Sequence, residues 1–225
     1  MPQVHGAVRD AIAMSERWIS IELNSSTDNP LVFAETGELL SGGNFHGAPM
    51  SLCFDFLGIA LCQLAGISER RIALLVDPGQ SELPPFLTRD SGLNSGFMIA
   101  QVTAAALVSE NKVLAHPAGA DSIPTSANKE DHVSMGLTAA LKLQQMVQNT
   151  AYVLAIEFLC AAQAVDLLLP KKTSSTLQKA HEMIRSCIPM MEKDRILSED
   201  IASVLRLTVQ HTFLANLESA LSHPL

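Results

Sequence analysis

Two hundred and twenty-five residues, 48% of them hydrophobic, supply enough apolar side chain for one to two folded domains with a sizeable core, which excludes a disordered chain. Acidic residues outnumber basic ones 23 to 15, giving a formal net charge of −8, and only 4% of the residues are aromatic; both features oppose a nucleic-acid partner, and the charge also opposes an anionic membrane. The four cysteines (Cys53, Cys62, Cys160 and Cys187) form no C-x-x-C pair, so neither a disulfide framework nor a zinc knuckle is expected, and a reducing cytoplasm fits.

Val4, Val8, Ile12, Ile19 and Leu23 recur with a roughly helical period, with Arg9, Asp10, Glu16 and Arg17 between them, and predict a first helix over 4–23. The opening MPQVHGAVRD has Pro2 and Asp10 where a secretory signal needs a basic and then an apolar stretch, so export is not expected. From Asn24 to Asn44 the texture changes to turn residues around two short apolar runs, Leu31 to Ala34 and Leu39 to Leu40, which reads as a hairpin excursion. Met50 to Val76 returns to helix-forming composition, with Pro49 suited to a first helical position and an end before Pro78.

Asp77 to Ser95 carries Pro78, Gly79, Pro84, Pro85 and Gly92 and predicts an irregular loop, with Asn94 placed to cap a helix over 97–114. After a second loop from His116 to Lys129, the stretch Asp131 to Leu168 has no proline and one glycine, and predicts the longest helix. Its part from Ala151 to Leu169 is apolar nearly all round except for Glu157, Gln163 and Asp166, which assigns it to the centre of a bundle. Those three polar residues, and the shortness of Phe97 to Val108 against the ~20 residues of a membrane helix, argue against a membrane span. Pro170 to Ser175 separates a helical core, 1–170, from a helical C-terminal tail, 171–225, in which Ser198, Glu199 and Asp200 open a last helix to about Leu217. The fold class is mostly α, a long-helix bundle with a small β-hairpin. With 17% charged residues against about 25% in an ordinary domain, the chain has too little polar side chain to coat an isolated globule, which predicts surface buried in an oligomer.

No glycine-rich phosphate loop, H-E-x-x-H, G-x-S-x-G or EF-hand loop occurs. Three polar clusters stand out instead: NSSTDNP (24–30), SGGNFHG (41–47) and DSIPTSANKEDHVSMG (121–136). Composition alone supports a plain turn for the first. In the second, Asn44, Phe45 and His46 put an amide, a ring and an imidazole together just before a helix; they could line a pocket, or Phe45 could sit in the core at a hairpin exit. The third places Glu130, Asp131 and His132 at the expected start of the long helix, where free N–H groups favour an anion, and where Asp131 could equally be a cap. His46, His116 and His132 with Glu130 lack the regular spacing of metal ligands, so no metal site is expected. Cys53, Cys62 and Cys160 lie in apolar helical texture and read as packing residues.

At these clusters the sequence resembles the histidine branch of the histidine and aromatic amino acid ammonia-lyases. The likeness is carried by NSSTDNPLVF (24–33), SGGNFHG, ISERRI (67–72), LPPFL (83–87), GLNSGFMIAQVTAAALVSENK (92–112) and AHPAGADSIPTSANKEDHVSMG (115–136), and covers most of residues 2–170. It implies a mostly α fold of the ammonia-lyase and fumarase-like type, assembled as a homotetramer whose active sites draw on more than one subunit. The chemistry implied is elimination of ammonia from L-histidine to give urocanate. It uses the electrophile 4-methylidene-imidazol-5-one (MIO), which forms from an internal Ala-Ser-Gly and is needed because the proton beside the imidazole is weakly acidic and the amine leaves poorly.

By resemblance, Phe45 corresponds to a substrate-lining phenylalanine and Glu130 to the catalytic carboxylate that faces the substrate imidazole or amine. Phenylalanine-specific relatives resemble this chain with an amide at the place of Glu130, so the carboxylate points to histidine. Asn44 and His46 are expected beside the substrate behind Phe45, and His132 as a neighbour that hydrogen-bonds at the helix start. Lys129 stands where many relatives have glutamine; on a helix it would point away from its neighbour Glu130.

No Ala-Ser-Gly occurs: Ala202-Ser203-Val204 has valine in the third place, and Asp90-Ser91-Gly92 and Asn94-Ser95-Gly96 lack the alanine. The family's catalytic tyrosines and carboxylate-binding arginine lie upstream of a C-x-P-Q-V stretch within which this sequence begins, at Met1-Pro2-Gln3-Val4. The single tyrosine, Tyr152, falls in the apolar central helix and reads as a packed residue. The expectation is therefore the C-terminal part of a histidine ammonia-lyase, with no cofactor of its own and no turnover alone, that pairs with itself or with an N-terminal half supplying MIO. The alternative expectation is a non-catalytic helical module that self-associates.

Overall fold

The computed structural model describes residues 1–219 and is mostly helical. Helix α1 runs from Pro2 to Leu23, followed by strands β1 (Leu31–Phe33) and β2 (Glu38–Leu40). Helix α2 (Ala48–Val76) precedes a short helix α3 (Pro78–Ser81) and a 3₁₀ turn at Pro85–Leu87. Helix α4 spans Met98–Leu114, and after a 3₁₀ turn at Ser126–Asn128 come α5 (Gly136–Leu167), α6 (Ser175–Cys187), α7 (Leu197–Thr208) and α8 (His211–Glu218). The expected helical tail is thus described to Ser219; its last six residues, 220–225, lie outside the described residues.

Two compact units interleave along the chain, one built from 1–64 and 110–148, the other from 65–109 and 149 onwards. In the first, α1 buries Val8, Ala11 and Ser15, one face at helical spacing, and Trp18 meets Phe56 with ring centroids 5.9 Å apart. Asn24 closes α1, its Nδ2 donating to the Ser20 carbonyl at 2.7 Å. The hairpin is antiparallel, Leu31 opposite Leu40 and Phe33 opposite Glu38, and closes through Gly37 N–H to the Phe33 carbonyl at 2.8 Å. Val32, Phe33, Leu39 and Leu40 all remain exposed.

The second unit holds the large core. Ala65, Ile72, Leu87, Phe97, Ala104, Val153, Ile156, Leu159, Cys160, Ile184 and Val204 are all buried, each large aliphatic or aromatic side chain among them contributing about 1.5–3 kcal/mol relative to exposure. Val153 to Ala164 is the expected central segment, and Tyr152 packs against this core as expected. Its polar residues are paired: Glu157 accepts from Ser68 Oγ at 2.6 Å and from Arg71, and Asp166 accepts from His181 Nε2 at 2.8 Å and Arg185 Nε at 2.7 Å, which seats α6. Gln163 Nε2 donates to the carbonyls of Leu87 (3.2 Å) and Met191 (2.8 Å) while its Oε1 accepts from Met191 N–H.

Three local expectations are corrected. Asn94 does not cap α4, which begins at Met98; its Oδ1 instead accepts the Asp194 N–H at 3.0 Å, and the Asp194 carboxylate takes the N–H groups of Ser95 and Gly96. The long helix starts at Gly136 and not at Asp131, because Met135 takes a left-handed φ of 54° that breaks the helical path. The last helix is interrupted after Thr208, so that α7 and α8 are separate, and Asp200 pairs with Arg195 at 2.8 Å. By length and composition alone, α2 and α5 are both long and apolar enough to cross a membrane, a property that core helices share. Both carry charged groups along their length, including Asp55, Glu69, Arg70 and Arg71 on α2 and Lys142, Glu157 and Asp166 on α5.

Candidate functional site

The residues singled out by the sequence all lie in the first unit, on the segment 41–47 before α2 and on the loop 115–135 before α5. The segment SGGNFHG is shaped by backbone bonds: Gly42 N–H donates to Asn29 Oδ1 at 3.0 Å, and His46 N–H to the Gly43 carbonyl at 3.0 Å. This turn holds Phe45 outward. Its ring is 49% exposed, which decides against a core role, and it lines an open cavity of about 510 Å³ with Ile19, Glu22, Thr27, Met50 and Phe54. Asn44 beside it is exposed.

His46 turns the other way. Its Nε2 donates to the carbonyl of His132 at 2.9 Å, and the two imidazoles stack with centroids 5.9 Å apart and planes inclined by 19°. Two further contacts fasten the same strip, since a Cβ on Gly47 would meet Ser134 Oγ at 3.2 Å and one on Gly136 would meet the Gly47 carbonyl at 3.3 Å. The second and third polar clusters are therefore in contact, through His46 and not through Phe45.

Glu130 does not sit at a helix N-terminus. It closes a tight turn with Thr125, each residue's N–H reaching the other's carbonyl at 3.0 and 3.3 Å, around the 3₁₀ turn in which Ser126, Ala127 and Asn128 all have positive φ. The helix-dipole setting expected for Glu130, Asp131 and His132 is thus replaced by a strained, rigid turn, and the argument that Lys129 points away on a helix face falls with it. Among the described residues the exposed Glu130 carboxylate makes no hydrogen bond or ion pair. His132 contributes its carbonyl, not a cap.

The loop's other leg is held by residues that sequence reasoning missed. Asp55 on α2 accepts from Ala118 N at 3.1 Å and Gly119 N at 2.7 Å, and lies 3.5 Å from Lys142 Nζ, which also donates to the His116 carbonyl. Asp55 is 9% exposed. An aspartate inside an apolar helical run was the available signal. Leu114, His116, Ile123, Met135, Thr138 and Lys142 line a second cavity of about 430 Å³.

Among the described residues no group of three or more His, Cys, Asp or Glu is placed to hold a metal; His46 and His132 meet without His116. Burial pushes the thiols of Cys53, Cys62 and Cys160 up from their ordinary value, with Lys112 partly offsetting this at Cys62 and Glu157 adding to it at Cys160. These are the packing residues expected, and poor nucleophiles.

Over residues 1–186 the sequence matches the family described as aromatic amino acid lyase. It is 59% identical over 207 residues to the histidine ammonia-lyase of Stigmatella aurantiaca, covering 92% of this chain and 41% of that protein. It is 57% identical over 220 residues to that of Myxococcus xanthus, covering 98% of this chain and 43% of that protein. The structure superposes on a crystal structure of histidine ammonia-lyase from Trypanosoma cruzi with a TM-score of 0.94 at 46% identity, over 99% of this chain and 44% of that one. On tyrosine aminomutase from Streptomyces globisporus the TM-score is 0.91 at 39% identity, over 100% of this chain and 43% of that one. The chain thus spans about two fifths of the length of the curated relatives it matches, and the match is to their C-terminal portion.

Proposed function

The chain belongs to the aromatic amino acid lyase family, and from that premise we propose that it forms the C-terminal part of a histidine ammonia-lyase, which converts L-histidine to urocanate and ammonia in the cytoplasm. Glu130 is the catalytic carboxylate in this reading. It accepts a hydrogen bond from the substrate imidazole N–H, or pairs with the imidazole or amine when either is protonated. Phe45 supplies an apolar wall against the substrate; Asn44 stands exposed beside it, and His46 holds the turn through its bond to the His132 carbonyl. The observation that carries the proposal is the state of Glu130: a carboxylate with no partner of its own, on a turn closed by two backbone hydrogen bonds.

The electrophile of the family, MIO, would supply an acceptor that makes the amine a better leaving group or the proton beside the imidazole more acidic. The residues present here do not fit its formation. Ser203 lies inside α7, its Oγ bonded to the Glu199 carbonyl at 2.8 Å and followed by the buried Val204. The Ser95 and Gly96 N–H groups are both taken by Asp194. No step is assigned to the electrophile in this chain; in this reading another polypeptide segment provides it.

Mixing the chain with a separately made N-terminal portion and following urocanate absorbance tests the proposal. Turnover by the mixture and none by the chain alone is expected; a well-folded complex without activity overturns it. A second reading, a helical module that self-associates without chemistry, is favoured by the apolar side chains left exposed on α2 (Leu52, Ile59) and α5 (Leu137, Leu141). Under it Glu130→Gln changes nothing measurable. Both readings place this chain in an oligomer, a homotetramer under the first.

A further inference from the structure

We propose that Asp55 and Lys142 are positioning residues that set the place of Glu130 through the loop 116–135; the proposal rests on the reading of Glu130 as the substrate carboxylate. The Asp55 carboxylate holds the first leg of the loop by two charge-assisted bonds, from Ala118 N and Gly119 N. Gly119 approaches α2 so closely that a Cβ there would stand 2.6 Å from Ser51 Oγ, so the leg is seated on the helix and not merely near it. Lys142, at the first turns of α5, joins Asp55 to the His116 carbonyl and so fixes the same leg from a second helix.

From that anchor the order passes to Glu130 by bonds within the loop. Val133 N–H donates to Ser122 Oγ at 2.8 Å, tying the outgoing leg to the returning one, and the Thr125–Glu130 pair closes the tip. His46 then pins the returning leg at the His132 carbonyl. A part-buried aspartate–lysine pair is a weak source of stability, because desolvation offsets its attraction. The two backbone N–H groups that donate to Asp55 are better explained by what the carboxylate holds in place, and catalytic groups need placement within a fraction of an ångström.

Asp55→Asn keeps the volume but removes the charge and one of the acceptors; Lys142→Met keeps the stem and serves if the first variant folds poorly. In hydrogen exchange on the 225-residue chain, either variant is expected to quicken the amides of Thr125, Glu130 and Val133 together with Ala118 and Gly119, about tenfold or more, with the α2 amides unchanged. Quickening confined to 118–119 overturns the proposal. In the assembly with the N-terminal portion, Asp55→Asn is expected to lower kcat/KM for L-histidine about tenfold to a hundredfold, with no further loss in a Glu130→Gln background. Losses that multiply in the double variant overturn it too. A wild-type assembly without turnover sinks the reading of Glu130 instead, and the exchange pattern then still decides whether Asp55 and Lys142 order the loop.

Discussion

In the second unit Glu157 is bound by Ser68 and Arg71, Asp166 by His181 and Arg185, and Gln163 makes three bonds to backbone around the core. Along 41–47 and 125–130 of the first unit the arrangement is different: Asn29 and the Thr125–Glu130 pair fasten the backbone, the His46 side chain donates to the His132 carbonyl, and the side chains of Asn44 and Glu130 make no bond among the described residues. A polar group with all its partners inside the chain serves the fold, since leaving any one of them unpaired costs more than the bond adds. A polar group on a rigid backbone with no partner is available to something outside. The two kinds of residue share their chemistry, acids and amides in each case, and differ in what folding brings to them.

The sharpest way to break this contrast is at Glu130. Glu130→Gln is expected to lower kcat/KM of the assembled enzyme by about two to four orders of magnitude while changing urea stability of the chain by less than about 0.5 kcal/mol. A large loss of stability would move Glu130 to the structural class. Phe45→Ala, which removes an exposed ring from the rim of its cavity, is expected to raise KM about tenfold to a hundredfold with a similarly small effect on stability.

Asp166 gives the opposite result. Asp166→Ala removes the carboxylate partner of His181 and Arg185, whose side chains are only 14% and 15% exposed, and is expected to cost about 3–5 kcal/mol in urea unfolding. Gln163→Leu follows at about 1–3 kcal/mol, because the side chain is 1% exposed and its loss leaves two carbonyls and an N–H of the core edge unpaired. If Asp166→Ala cost no more than a surface change, α6 would be held by its apolar face alone, through Ile184.

Where the pattern is long and periodic, the structure follows the sequence closely: α1, α2, α4 and the buried half of α5 fall within a few residues of their expected limits. The hairpin was legible from Glu35-Thr36-Gly37 between two apolar runs. What was not legible depends on contacts far apart in the chain. Asn94 has the chemistry of a cap, but Asp194, a hundred residues later, takes its carbonyl oxygen and the two N–H groups beyond it. Asp131 has the same chemistry, but the left-handed Met135 delays the helix, and Glu130 is paired with Thr125 across a turn whose three central residues are all strained. The residue types of the candidate site were visible in SGGNFHG and NKEDH; the division of labour, Phe45 toward one cavity and His46 toward the other cluster, was not.

The smallest effect expected is at the thiols, where burial disfavours the charged form. Cys53, Cys62 and Cys160 are all pushed up from an ordinary value of 9.0, Cys160 furthest because it is fully buried beside Glu157. At pH 8 an alkylating reagent is expected to modify the exposed Cys187 first and to leave Cys160 untouched until the chain unfolds. The sign of the pH dependence follows from proton counting. Above pH 9 the unfolded chain releases thiol protons that the folded chain retains, so the unfolded state binds fewer protons and stability falls as pH rises. For Cys160 alone the loss between pH 9 and 9.5 is a fraction of a kcal/mol. Chemical denaturation at the two pH values, with Cys160→Ala as the control that removes this part of the slope, measures it. A slope of the opposite sign would mean that the folded chain stabilises the Cys160 thiolate against both its burial and the neighbouring Glu157.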